Sequence, residues 1–173
     1  MSRQFHIGIG TVLLCLIGMT PMKAQQMSQL QTELVSHQDF EQIPVGQKLP
    51  SSIVDDSSWA GGQTDMRIIS SGDPRHGQML QVGVNGFSQV ILERLSLQKN
   101  HAYQISMAVS SLRPQALTVL VRKQKAPYTP YAQILFDTLE DMKEYRFIFI
   151  AGKDDPAALL MFKLSGSTTL NID

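Results

Sequence analysis

Between His101 and Ser111 the chain reads HAYQISMAVSS, so that Tyr103, Ile105, Met107 and Val109 alternate with Gln104, Ser106, Ala108 and Ser110. A period of two puts the first set on one side of an extended strand and the second set on the other. Such a strand has one buried face and needs a second layer to cover it. Similar runs recur at DMRIISS, QMLQVGV, FSQVILERL, ALTVLVRK, YAQILFDTL, EYRFIFIA, ALLMFKL and TTLNI. They are separated by the turn-forming stretches SSGDPRHG, VNGF, SLRPQ, KAPYTP, AGKDDP and SGS. Only LEDMKEY and a Gln-rich leader offer helical periods, and both are too short to organise a fold. Many short strands at regular spacing predict an all-β protein, a jelly-roll β-sandwich of two antiparallel sheets. In EYRFIFIA both sides of the strand are apolar, which predicts a central strand covered on both faces.

The first residues bear on where such a sandwich works. Arg3 and His6 precede an apolar stretch from Ile7 to Gly18, and TPMKA leads to a cleavage point after Ala24. This is the layout of a signal peptide over residues 1–24. The apolar run is shorter than the roughly 20 residues that span a bilayer. Leu13 and Leu14 stand ahead of Cys15 where a lipoprotein signal needs small residues. The expected product is exported, to the periplasm or outside the cell, with a flexible leader over 25–36 and the sandwich over 37–173.

Removing residues 1–24 takes away Cys15, Arg3 and Lys23, leaving 13 Lys and Arg against 15 Asp and Glu. Without cysteine the mature domain is held by its core alone. Near-neutral, scattered charge offers no argument for nucleic acid or an anionic membrane as partner.

Catalytic patterns are missing. There is no G-x-S-x-G elbow, and His37, His76 and His101 lack metal-ligand spacing. His37 and Asp39 share a strand face but lack a third partner. The pairs Glu140/Glu144 and Glu41/Glu93 are not singled out from strand-end acids. The chain reads as a non-enzyme.

The landmarks of the chain, in order, are DFE at Asp39–Glu41, Trp59, GQMLQV at Gly77–Val82 and a strand ending in Leu95-Ser96-Leu97. They continue with HAYQISMAV, LTVLVR, EYRFIF and the closing TLNID. This order resembles the CenC-type carbohydrate-binding modules, whose fold is a galactose-binding-domain-like jelly roll. The resemblance covers about Ser36 to Asp173. Met142 stands where those modules usually carry tryptophan, and Asn100 where they carry glycine. The chain ends at Asp173, within their usual I-D-D-V strand, so a truncated last strand or a longer parent polypeptide is expected. The resemblance implies a non-catalytic module that binds a polysaccharide or oligosaccharide and accompanies a glycoside hydrolase domain. It also implies a structural Ca²⁺ held by Glu41 and Asp173, hard oxygen donors of the right kind. Asp55-Asp56 and Asp154-Asp155 are rival acidic pairs that read as turn residues.

Sugar recognition needs flat apolar faces for pyranose C–H groups and directed polar groups for hydroxyls. Trp59, the one tryptophan, is a candidate platform. The segment VRKQKAPYTPYAQ supplies Arg122, Tyr128, Tyr131 and Gln133. Alternation puts Tyr131 and Gln133 on one side of their strand and Ile134 and Phe136 on the other, so two readings stand. Tyr131 and Gln133 lie on an outer sheet face near Arg122, or the hairpin tyrosines cap a core edge. The function expected is polysaccharide binding. The alternative is a structural or protein-interaction sandwich packed against an enzyme, without sugar binding.

Overall fold

A computed structural model describes residues 40–173. The signal segment, the leader, His37 and Asp39 lie outside the described residues. The fold is all-β and antiparallel, with single 3-10 turns at Phe40–Gln42 and Ser58–Ala60. Its strands are β1 (Val54–Asp55), β2 (Gln63–Ser70), β3 (Gln78–Leu97), β4 (Ala102–Ser111), β5 (Ala116–Arg122), β6 (Pro130–Asp137), β7 (Lys143–Ile150) and β8 (Asp155–Ile172). Alternation predicted β2 and β4 to β7 closely, while β1 lies in none of the predicted runs.

Two strands are much longer than expected. QMLQVGV and FSQVILERL, read as separate strands joined by a VNGF turn, form the single 20-residue β3. ALLMFKL and TTLNI likewise merge across SGS into the 18-residue β8. These two strands pair from Leu80↔Ile172 to Leu97↔Asp155. Midway, Gly86 faces Gly166 across the ladder. Both have positive φ, +91° and +121°, a region open to glycine and rarely to other residues. The glycines that read as turns in each strand alone instead let the paired ribbon pass from one layer to the other without losing its ladder.

The ribbon therefore belongs to both layers of the sandwich. On one side of the glycine pair, β2 joins β3 while β4 and then β7 extend from β8. On the other side, β1 joins β3 while β5 and then β6 extend from β8. Leu80, Val82 and Leu170 from the first layer and Val90, Val119 and Phe162 from the second lie in one buried cluster. Burying such side chains contributes about 1.5–3 kcal/mol each, so the apolar faces of both layers are satisfied only by each other.

One expectation about the edges is corrected. EYRFIFIA forms β7, which among the described residues pairs only with β4 and is an edge strand. Tyr145, Phe147 and Phe149 pack on the core, but Ile148 and Ile150 are 48% and 66% exposed. Their side of the strand is apolar in sequence without being covered.

Replacing Gly166 tests the bend. A Cβ there would sit 3.1 Å from the Gln115 side chain, on a backbone that L-residues rarely adopt. Gly166→Ala is expected to cost about 1–3 kcal/mol, read as a lower urea midpoint at unchanged slope. An unchanged midpoint would mean that the bend does not depend on glycine.

Candidate carbohydrate-binding face

The layer built from β1, β3, β8, β5 and β6 presents its outer face in rungs of directly paired residues, which share a side of the sheet. One rung runs Gln89, Lys163, Thr118, Leu135. The next runs Val54, Ile91, Met161, Leu120, Gln133. A third runs Arg94, Leu159, Arg122, Pro130. The floor at the centre is apolar: Leu120, Leu159 and Met161 form a second buried cluster, with Ile91 packed against it.

Trp59 stands at one end of this face. It is 68% exposed, and its ring centroid lies 5.2 Å from that of Phe87, a residue paired with Ser165 one step beyond the first rung. The turn carrying Trp59 is fixed from below. Ser57 is fully buried; its hydroxyl accepts the Gln89 N–H (2.8 Å) and donates to the Gln89 carbonyl (3.2 Å). Thr64 and Ser88 extend this chain of hydroxyls into the first layer. Gly62 follows the turn so closely over the Phe87 carbonyl that a Cβ would overlap it. An exposed ring on an anchored turn offers apolar area at little entropic cost.

The hairpin between β5 and β6 stands at the other end. Tyr128 is exposed and held at φ +56°, with its N–H bonded to the Lys125 carbonyl (3.0 Å). Its ring lies over the Arg122 guanidinium, 4.7 Å from Cζ to centroid, within cation–π range. Arg122 occupies the predicted face but is only 9% exposed. Its Nη1 donates to the Lys123 carbonyl (3.1 Å), its Nε to the Met161 sulfur (3.3 Å), and its Nη2 lies 3.6 Å from Asp56 Oδ2. Much of its hydrogen-bonding capacity is thereby committed to the protein. It roofs the apolar floor and carries Tyr128. Asp56, read from sequence as a turn residue, also accepts from the Gln89 side chain.

Tyr131 and Gln133 are not brought together. A register shift sets Val121 opposite Ala132 but Arg122 opposite Pro130, leaving Tyr131 as the extra residue of a bulge. Tyr131 and Ala132 consequently both pack on the main core, and the Tyr131 hydroxyl donates to Asp155 Oδ2 (2.7 Å). Simple alternation fails at this residue. Gln133 remains exposed on the outer face beside Leu120, and Leu135, 67% exposed, stands two residues on. Sequence reasoning passed over Gln89, Lys163 and Phe87. The alternation of FSQVILERL sets Phe87, Gln89 and Ile91 on one side, but their neighbours on β8 and β5 depend on long-range register.

Glu41 and Asp173 lie on either side of the segment His76–Gln78. Glu41 Oε1 accepts the Gln78 N–H (2.8 Å), and Asp173 Oδ2 lies 2.7 Å from His76 Nδ1. The Gln78 side-chain oxygen is buried without a hydrogen-bond partner. Two carboxylates and an unsatisfied amide oxygen are donors of the type calcium takes. No group of three or more His, Cys, Asp or Glu side chains converges for a metal among the described residues. Asp55 and Asp154 serve loops, accepting the N–H groups of Ser57 and Lys99.

Two open grooves of about 440 and 470 Å³ lie elsewhere, one beside Asp65, Asn85 and Thr169, the other beside Leu49, Pro50 and Met66. Neither is lined by an aromatic ring.

A family model described as "Carbohydrate binding domain" matches residues 32–169. The chain belongs to this carbohydrate-binding family. The module's fold agrees with solved structures at low identity. One described as a CBM4 structure has a TM-score of 0.55 and 15% identity, over 70% of this chain and 81% of that one. The N-terminal cellulose-binding domain of β-1,4-glucanase C from Cellulomonas fimi has a TM-score of 0.51 and 17% identity, over 65% and 84%. An exo-β-agarase has a TM-score of 0.54 and 10% identity, over 73% of this chain and 22% of the agarase. No curated protein sequence matches the module. No helix among the described residues is long and apolar enough to cross a membrane.

Tyr131 makes a titratable marker of the bulge. Burial, the bond to Asp155 and the charge of Asp155 push its phenol up to about 12. A raised folded value means that the contribution is complete below the ordinary value of 10 and is lost as pH rises through about 12. Absorbance titration is expected to show a tyrosinate step near pH 12 that Tyr131→Phe removes. At pH 8 the variant should be less stable by about 1 kcal/mol, with the gap closing as pH approaches 12. A gap of constant size across that range would separate the phenol's shift from this bond.

Proposed function

We propose that the module binds polysaccharide through the outer face of the β1–β3–β8–β5–β6 layer. The observation carrying this reading is the placement of two exposed aromatic rings, Trp59 and Tyr128, at opposite ends of one sheet face. Their supporting residues, Phe87 and Arg122, pair with Ser165 and Leu159 of β8. Six residue steps of β8 separate those rungs, about 20 Å at ~3.3 Å per residue, a length suited to several sugars of a chain. Gln133 and Thr118 offer an amide and a hydroxyl between the rings.

In this reading the module is of the CenC type, is exported behind its signal segment, catalyses nothing itself and keeps a glycoside hydrolase near its substrate. Arg122 supports Tyr128 and the floor, and Tyr131 supports the fold. Affinity electrophoresis against soluble polysaccharides tests the assignment. The wild-type chain is expected to be retarded selectively, and Trp59→Ala and Tyr128→Ala to lose at least about tenfold in affinity, within the range of aromatic stacking losses, with unchanged melting temperature. Full retention in both variants would move the site elsewhere. No retardation of folded wild-type protein would favour a sandwich that packs against an enzyme.

Calcium belongs to the same reading, with Glu41, Asp173 and the Gln78 amide oxygen as its donors near the ends of the described chain. Bound there, it would tie Phe40–Gln42 to the start of β3 and the end of β8. Added Ca²⁺ is then expected to raise the melting temperature, chelator to reverse the rise, and Glu41→Gln to abolish it. A melting temperature indifferent to calcium would remove the metal from the proposal.

A further inference from the structure

The charges on the candidate face are unevenly distributed. Of the residues in the three central rungs, Lys163, Arg94 and Arg122 are charged, and all three are cations. Arg122 is neutralised in part by Asp56 at 3.6 Å. Neither Lys163 nor Arg94 forms a side-chain ion pair among the described residues. Lys163 stands near the middle of the face, half-buried between Gln89 and Thr118, with Met161 two residues away on the same side of β8. Arg94 is exposed on β3, opposite Leu159. Lys123 and Lys125 add exposed charge on the hairpin around Tyr128. Asp56 is an acidic group on the face itself, bonded to the Gln89 side chain and paired with Arg122. The other acidic groups nearby are peripheral. Asp137 lies at the end of β6 opposite Ala116, and Glu93, at the register shift in β3, accepts the Arg94 N–H (2.8 Å).

This arrangement differs from the chain as a whole, whose formal net charge is zero. Cations gather around Tyr128, where Arg122, Lys123 and Lys125 lie, and at Lys163 and Arg94, while the Trp59 turn follows Asp55 and Asp56. A partly desolvated ammonium beside amide and hydroxyl groups is a poor neighbour for a neutral hydroxyl alone, because it loses water without gaining a counter-charge. It is well matched to an anionic substituent, with the Thr118 hydroxyl available for an adjoining sugar hydroxyl.

We infer that the polysaccharide bound by this face is acidic, a chain whose sugars carry carboxylate or sulfate groups, with Lys163 and Arg94 as the residues that read the charge. The inference rests on the glycan-face reading above and deepens it. Uronate carboxylates and sulfate esters share the relevant chemistry, and the experiment separates them.

The full chain is run through affinity gels containing alginate or polygalacturonate, carrageenan, and neutral β-glucan or xylan, at low and high salt. Retardation by an acidic polymer, weakened by salt as counter-ions screen the face, is the expected result. Uronate-only or sulfate-only retardation identifies the substituent. Lys163→Gln and Arg94→Gln should each lower that affinity by about fivefold, as loss of one favourable exposed charge contact, while Lys163→Arg retains most of it. Melting curves establish that each variant is folded. Binding of neutral polymers with none of the acidic ones would overturn the inference and leave the glycan face standing. Acidic binding unaffected by either glutamine variant would also overturn it, since the cations would then not be its readers. Failure of every polymer to bind would bring down this inference together with the glycan-face proposal.

Discussion

The ladder between β3 and β8 is the interaction on which the molecule depends. In most two-layer β-proteins the layers are joined by loops, and the core alone holds them in register. Here one hydrogen-bonded ribbon runs through both layers, and all other strands attach directly or indirectly to it. Gly86 and Gly166 make this possible by taking backbone angles that other residues resist, at facing positions. The pairs flanking the bend, Val84 with Thr168 on one side and Ser88 with Leu164 on the other, stay joined and are buried.

The candidate binding face inherits its geometry from that ribbon. Phe87 and Gln89 follow the bend on β3, and Lys163 precedes it on β8, so one end of the face is tied to the crossing between layers. Trp59 is carried by a separate turn, but buried Ser57 bonds both backbone groups of Gln89 and so couples that turn to the ribbon. At the far end, Arg122 bonds to Met161 of β8 and bears Tyr128 on its guanidinium. Both rings thus rest on the same pair of long strands. A surface held this way is preorganised, and preorganisation is what lets a shallow face with few contacts retain a flexible chain.

Sequence patterns were informative wherever local chemistry decided the outcome. Alternation located β2 and β4 to β6, and the outer position of Arg122 and Gln133 followed from it. It misled at Tyr131, where one extra residue places two consecutive side chains on the core. It also misled at VNGF and SGS, which carry good turn residues yet continue as strand because each glycine finds the other across the ladder. In β7, apolar residues on both sides suggested a central strand, but Ile148 and Ile150 face outward from an edge. No local pattern distinguishes these cases, since each turns on which strand lies alongside.

What the sequence determined by itself was the class of structure: short alternating strands must bury one face, and with no cysteine in residues 40–173 that face must find an apolar partner layer. It also marked the aromatic and polar residues available for sugar binding. The tertiary structure decided which of them share a surface. Trp59, Tyr128 and Gln133 are gathered onto one face, Arg122 is sunk beneath a ring, Tyr131 is turned to the core, and Lys163 is set among them from a strand far away in sequence. The physical reason is register: antiparallel pairing joins residues up to about a hundred positions apart, and only the folded ladder specifies which side chains become neighbours.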